Sequence, residues 1–193
     1  MPIKPSIPAA AMHGAVVPIA YATSSGSVSD IMFQNIPQIY QDLMLVISAR
    51  GAKSATTASF IAYVGTGANG TSLLQSNENS TTVLYGDGVN AISTRTTSSS
   101  GLIFTGGIPA ASATSGIFGS FVLHFMNYAN SSTNKTVLMR AATDRNGAGQ
   151  TNVQVGLVRT TSPLLTVGAA TYGDGNLVSG TTFTLYGIRT VGQ

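Results

Sequence analysis

The chain of 193 residues contains no cysteine and no tryptophan, and only 8% of it is charged, where a soluble domain ordinarily carries about 25%. Without cysteine there is no disulfide framework, no thiolate metal site and no thiol nucleophile. Acids are especially scarce. Asp30, Asp42, Glu78, Asp87, Asp144 and Asp174 are the complete set, never closer than nine residues apart, so no local carboxylate pair is poised for acid–base catalysis. The nine Lys and Arg lie singly from Lys4 to Arg189. The pI near 9.4 therefore reflects missing acids rather than a basic stripe, and nucleic acid is not an expected partner. The longest apolar run, Leu43 to Ile47, is far short of the ~20 residues a membrane helix needs.

The place of charge is taken by 22 Ser, 24 Thr and 22 Gly, while 43% of the chain is hydrophobic. That combination describes a folded protein with a nearly neutral surface. A free protein is kept dispersed partly by its charge, so the final surroundings expected here are other protein subunits. One domain accounts for the 19.7 kDa.

Residues 1–13 read as an extended arm and 14–193 as a single domain. Pro2, Pro5 and Pro8 disfavour helix and favour a polyproline-like path, with Ile3, Ile7 and Met12 as its apolar content. The same prolines, with Pro18, break any signal-peptide core. Cytoplasmic synthesis without a recognisable export route is the expectation.

From Gly14 onward the period is two. Leu43, Leu45 and Ile47 alternate with Met44, Val46 and Ser48. Phe121, Leu123 and Phe125 alternate with Val122, His124 and Met126, and Phe183 and Leu185 with Thr184 and Tyr186. Val153, Val155 and Leu157 alternate with Asn152, Gln154 and Gly156. Such alternation predicts strands with the apolar set buried. Turn clusters separate them at 66–70, 86–88, 98–101, 146–147 and 173–176. The expectation is an all-β, jelly-roll-like antiparallel sandwich of nine to eleven strands, with at most one helical turn near Pro37 to Gln41. Pro37, which cannot donate a ladder bond, is expected to end the strand before it. Tyr40 is expected to cap the edge of the core. Tyr-Gly-Asp-Gly occurs at 85–88 and again at 172–175, but the flanking residues do not match, so a duplication is not the reading.

Asp87, Asp144 and Asp174 stand in turn contexts, where Asp commonly bonds nearby backbone. His13 and His124 are the only imidazoles. His124 falls on the strand face opposite Phe121 and Phe125 and reads as satisfied or subunit-facing rather than a base or ligand. No Gly-x-Ser-x-Gly elbow with acid and His partners occurs. Asp87 and Asp174 bring one carboxylate per turn, thin for calcium. Four Asn-x-Ser/Thr triplets, at Asn69, Asn79, Asn130 and Asn134, are what a Ser/Thr-rich chain supplies by chance. No catalytic residue, metal ligand or cofactor-binding residue is assigned, and no cofactor is expected.

Three landmarks carry a resemblance. Ile31 to Arg50 contains Asn35-Ile-Pro-x-x-Tyr-x-Asp-Leu43 followed by a strand closing on Ser48-x-Arg50. Phe125-Met-Asn-Tyr128 precedes Asn134-Lys-Thr136, and Thr181-Thr-Phe-Thr-Leu-Tyr-Gly-Ile188 lies near the end. In this order they resemble tailed-bacteriophage virion accessory proteins. The resemblance spans most of residues 28–188 and implies a jelly-roll module used as capsid decoration, head fibre or tail-associated part, usually oligomeric and without catalytic residues. The expected function is a non-enzymatic virion protein that decorates or cements the capsid, with sister subunits in a homotrimer and a capsid or tail protein as partners. The alternative is a tail-fibre or tail-tip adhesin binding a host receptor or glycan, which would involve loops 65–80, 86–101 and 143–150. Attachment is assigned to Pro2, Ile3, Lys4, Pro5, Ile7 and Pro8 of the arm. Neither nucleic acid nor membrane is an expected partner.

Overall fold

A computed structural model describes residues 15–70, 72–74, 77–99 and 101–189, and among these there is no helix. The expected arm and its attachment residues lie outside the described residues, as does His13. Twelve strands form: β1 (Val16–Thr23), β2 (Asp30–Phe33), β3 (Asp42–Ala49), β4 (Thr57–Gly65), β5 (Asn79–Gly86), β6 (Ala91–Ser99), β7 (Leu102–Pro109), β8 (Gly119–Phe125), β9 (Lys135–Asp144), β10 (Gly149–Val158), β11 (Thr166–Thr171) and β12 (Thr182–Ile188). They make an eight-stranded sheet, β1-β12-β3-β8-β9-β10-β5-β6, and a four-stranded sheet, β2-β11-β4-β7.

The order has a simple origin. β1 pairs with β12, β2 with β11, β3 with β8 and β4 with β7, all antiparallel. These nested pairs are one long hairpin, rolled so that successive pairs alternate between the two sheets. That is jelly-roll connectivity, as expected. Two hairpins interrupt the roll, β5–β6 between β4 and β7, and β9–β10 between β8 and β11. β10 pairs with β5, so the insertions zip together and widen one sheet from four strands to eight. They take the strand count to twelve, above the expected nine to eleven.

The core lies between the sheets. Leu43, Leu45 and Ile47 of β3, Phe121, Leu123 and Phe125 of β8, and Phe183 and Leu185 of β12 are all buried, as their alternation predicts. Phe60 of β4 meets Phe121 at 5.2 Å between ring centroids and Phe183 at 6.5 Å, tilted contacts that suit the ring quadrupoles. Burying each such side chain stabilises the fold by roughly 1.5–3 kcal/mol. β11 shows no alternation, because every residue of Thr166–Thr171 is buried. Its outward Gly168 leaves room for Met32 of β2; a Cβ there would lie 2.6 Å from the Met32 sulfur.

Two local expectations change. β2 ends at Phe33, before Pro37; Asn35, at φ 52°, already turns the chain out of the ladder. Residues 37–41 make a turn with no helix, and the Pro37 carbonyl accepts a hydrogen bond from the buried Tyr128 hydroxyl. Tyr40 does sit at the core edge, laid flat on Gly187 where any Cβ would strike its ring.

Candidate interaction surface

The ionisable side chains are absorbed by structure. Asp87 Oδ1 accepts from the backbone N–H groups of Val89 (2.9 Å) and Asn90 (2.7 Å). Those bonds hold its pKa below the usual carboxylate value. Asp144 Oδ1 accepts from Asn146 N at 2.9 Å. Asp174 joins Lys53 Nζ (2.7 Å) and the Ser59 N–H (2.6 Å). The Lys53 bond, then the Ser59 bonds, hold its pKa at about 2. His124 Nε2 lies 2.8 Å from Asp42 Oδ2, while Asp42 Oδ1 accepts from Asn127 N at 2.7 Å. His124 is thus the partnered, outward-facing histidine its strand position implies. Among the described residues no three His, Asp or Glu side chains cluster as a metal site. Asp87 and Asp144 have the local turn roles expected of them. Asp174 does not, its carboxylate reaching across to Lys53 and the Ser59 N–H instead.

Two cations that look like ordinary surface residues are interior. Arg50 is buried, and its guanidinium donates to the carbonyls of Ala113 (2.9 Å), Thr114 (2.8 Å) and Ile117 (2.9 Å), with Ala111 at 3.5 Å. It organises the β7–β8 connection from the end of β3. Lys135 has no exposed surface; its ammonium donates to Thr133 O (2.7 Å), Thr161 O (3.2 Å) and Thr160 O (3.4 Å), tying the start of β9 to the loop after β10. Burial pushes its pKa down. No pattern in the sequence separates these two from exposed Arg and Lys, because their acceptors are backbone carbonyls that any residue type supplies.

β10 reverses its expected orientation. Asn152, Gln154, Gly156 and Val158 face inward, while Val153 and Val155 are 58% and 41% exposed. The cause is position. β10 belongs to the inserted, widened half of the sheet, where Gly156 and Val158 meet the apolar core while the inward amides satisfy each other; Gln154 Nε2 donates to Asn152 Oδ1 at 3.0 Å. The apolar set is left for the outer face. There it joins Leu84 of β5 and Leu138 of β9, 60% and 44% exposed.

In register across the outer face run Thr184, Val46, Val122, Arg140, Val153, Leu84 and Ser93. On one side lies the row Tyr186, Met44, His124, Leu138, Val155, Thr82 and Arg95. On the other lies the row Thr182, Ser48, Ser120, Ala142, Thr151, Gly86 and Ala91. These three rows contain Arg95 and Arg140 and no acid. Arg95 donates to Thr82 Oγ1 at 3.0 Å. Among the described residues the Arg140 guanidinium has no hydrogen-bond or ion-pair partner. Beside it a shallow depression of about 250 Å³ is lined in part by Ala142 and Ala141.

The molecule is therefore an all-β sandwich whose eight-stranded sheet turns outward a face of mixed aliphatic and hydroxyl side chains, its three central rows free of acids. No family model, curated protein or solved structure matches the chain.

Proposed function

We propose that this protein is a non-enzymatic structural component of a tailed-bacteriophage virion, decorating and cementing the capsid. It packs as a homotrimer and holds a capsid or tail protein through the arm at 1–13. The observation that carries the reading is the outer face of the eight-stranded sheet. That face sets the exposed aliphatic side chains of Leu84, Leu138, Val153 and Val155 among Ser, Thr, His and Arg, and exposed apolar groups clustered this way mark a surface that a partner covers. With strands about 4.8 Å apart and residues about 3.3 Å apart, eight strands by seven residues span roughly 900 Å². A standard interface takes about 800 Å² from each partner. The resemblance of the Asn35–Leu43, Phe125–Tyr128 and Thr181–Ile188 segments to phage virion proteins supplies the setting. In that setting the protein adds buried area between neighbours and so resists internal pressure.

The test is made on purified particles of the phage that encodes the chain. Quantitative mass spectrometry and cryo-electron microscopy are expected to find many copies on the capsid surface. Protein lacking residues 1–13 should keep its β circular dichroism and lose particle binding. Absence from the particle overturns the virion reading; full binding without the arm overturns the attachment.

A further inference from the structure

We propose that the β5–β6 hairpin tip of one copy seats in the Arg140 depression of a neighbouring copy, pairing Asp87 with Arg140 across the interface. The inference rests on the oligomeric packing proposed above and gives it a contact.

The hairpin is the protruding part of the molecule. β6 is the edge strand of the widened sheet, and its residues Ala91 to Arg95 are exposed on both faces. At its tip Val89 is 90% exposed. The tip is nonetheless built rather than loose, because Asp87 caps the backbone at Val89 and Asn90, and the Asp87 N–H bonds the Asn90 carbonyl at 3.2 Å. Val89 therefore projects from a fixed turn whose cap is the solvent-exposed Asp87 carboxylate. Among the described residues Asp87 faces no cation; its partners are Val89 and Asn90.

The depression is the counterpart. Val122, Ala142 and Val153 line it with apolar surface, Ser120 and Thr151 with hydroxyls, and Arg140, which has no partner among the described residues, completes the lining. Arg140 lies in the fourth of seven in-register positions, near the middle of the face. Stacking two such faces on an axis through Arg140 would bring like charges together with no acid to separate them, which is costly once desolvated. A tip-in-depression contact avoids this. Apolar Val89 meets the apolar lining, and the Asp87 carboxylate meets the guanidinium. The arm at 1–13 cannot serve as the occupant by the same logic, since it contains Lys4 and no acid. Different patches meet in this contact, so it is heterologous and can close into a ring.

The experiment uses the full-length chain and sedimentation equilibrium over a concentration series. Wild type is expected to self-associate. Asp87→Arg and Arg140→Asp should each weaken association by about 100-fold or more, the scale of juxtaposed like charges. The double variant D87R/R140D should recover it, and mixing the two single variants should yield complexes that neither forms alone. Arg140 is exposed and makes no bond among the described residues, so Arg140→Asp should match wild type in circular dichroism and melting. Asp87→Arg also removes the turn cap. Asp87→Asn, which keeps the Oδ1 acceptor and loses the charge, is therefore the control and should also weaken association. A monomeric wild type, unchanged association in either single variant, or no recovery in the double variant overturns the contact. The readings separate cleanly: charge-dependent oligomers absent from the particle refute the virion role alone, and charge-independent protein found on the capsid refutes this contact alone.

Discussion

Replacing Arg50 by methionine keeps most of the buried stem and removes the guanidinium. The carbonyls of Ala113, Thr114 and Ile117 then lose bonds of 2.8–2.9 Å to a charged donor. A hydrogen bond to a charged group contributes about 1.5–3 kcal/mol, and a buried acceptor left alone costs about 1–3 kcal/mol. The full sum is not reached, because Thr114, Ser115 and Gly116 border solvent and the connection can open to let water reach its carbonyls. A loss of about 3 kcal/mol is expected. At about 2–4 °C per kcal/mol for a chain of this size, the melting point should fall by about 6–12 °C. Arg50→Lys should recover less than half, because one ammonium cannot replace a planar fork across separate acceptors. With no tryptophan and seven tyrosines, urea unfolding is followed by circular dichroism and tyrosine emission. A loss below about 0.5 kcal/mol for Arg50→Met, the scale of ordinary surface changes, would refute the assignment. Full rescue by lysine would show that charge, not the carbonyl fork, is what matters.

Tyr128→Phe removes the buried hydroxyl that bonds the Pro37 carbonyl and should cost about 1–2 kcal/mol in urea. Asp174 has a folded pKa lowered to about 2, so its stabilising effect is complete above the unfolded value and fades as pH falls from about 4 to 2. Lys53 is well solvated, which limits the effect to under about 1 kcal/mol. Asp174→Asn should therefore flatten the stability curve in that window and change its shape little at pH 7. Gly107 sits at φ +64° with the Ala58 carbonyl oxygen where a Cβ would be. Gly107→Ala should destabilise by more than about 3 kcal/mol and be read as a collapse in melting temperature.

The sandwich was legible because β3, β8 and β12 alternate cleanly, with Leu43, Phe121 and Phe183 marking the inner face. β11 was hidden, since burial on both sides erases the alternation and its Gly and Ala read as loop. The widening of one sheet was also hidden, because pairing of Thr82 with Val155 is a long-range choice that no local pattern encodes. That same pairing explains the reversal of β10. Alternation specifies that two faces differ, and only the neighbouring layer decides which is inside. The outer face was therefore present in the sequence as Val153 and Val155 but assigned to the wrong side. Arg50 and Lys135 were illegible for a different reason, their acceptors being main-chain carbonyls.

The nested hairpin fixes where the ends of the described chain lie. β1 and β12 pair at one edge of the large sheet, and the Arg189 N–H reaches the Ala15 carbonyl at 3.0 Å, so both ends of the described chain leave from a single corner. The opposite edge is β6, seven strand spacings or about 34 Å away. The sheet thus separates the corner where the described chain begins and ends from the exposed β5–β6 hairpin.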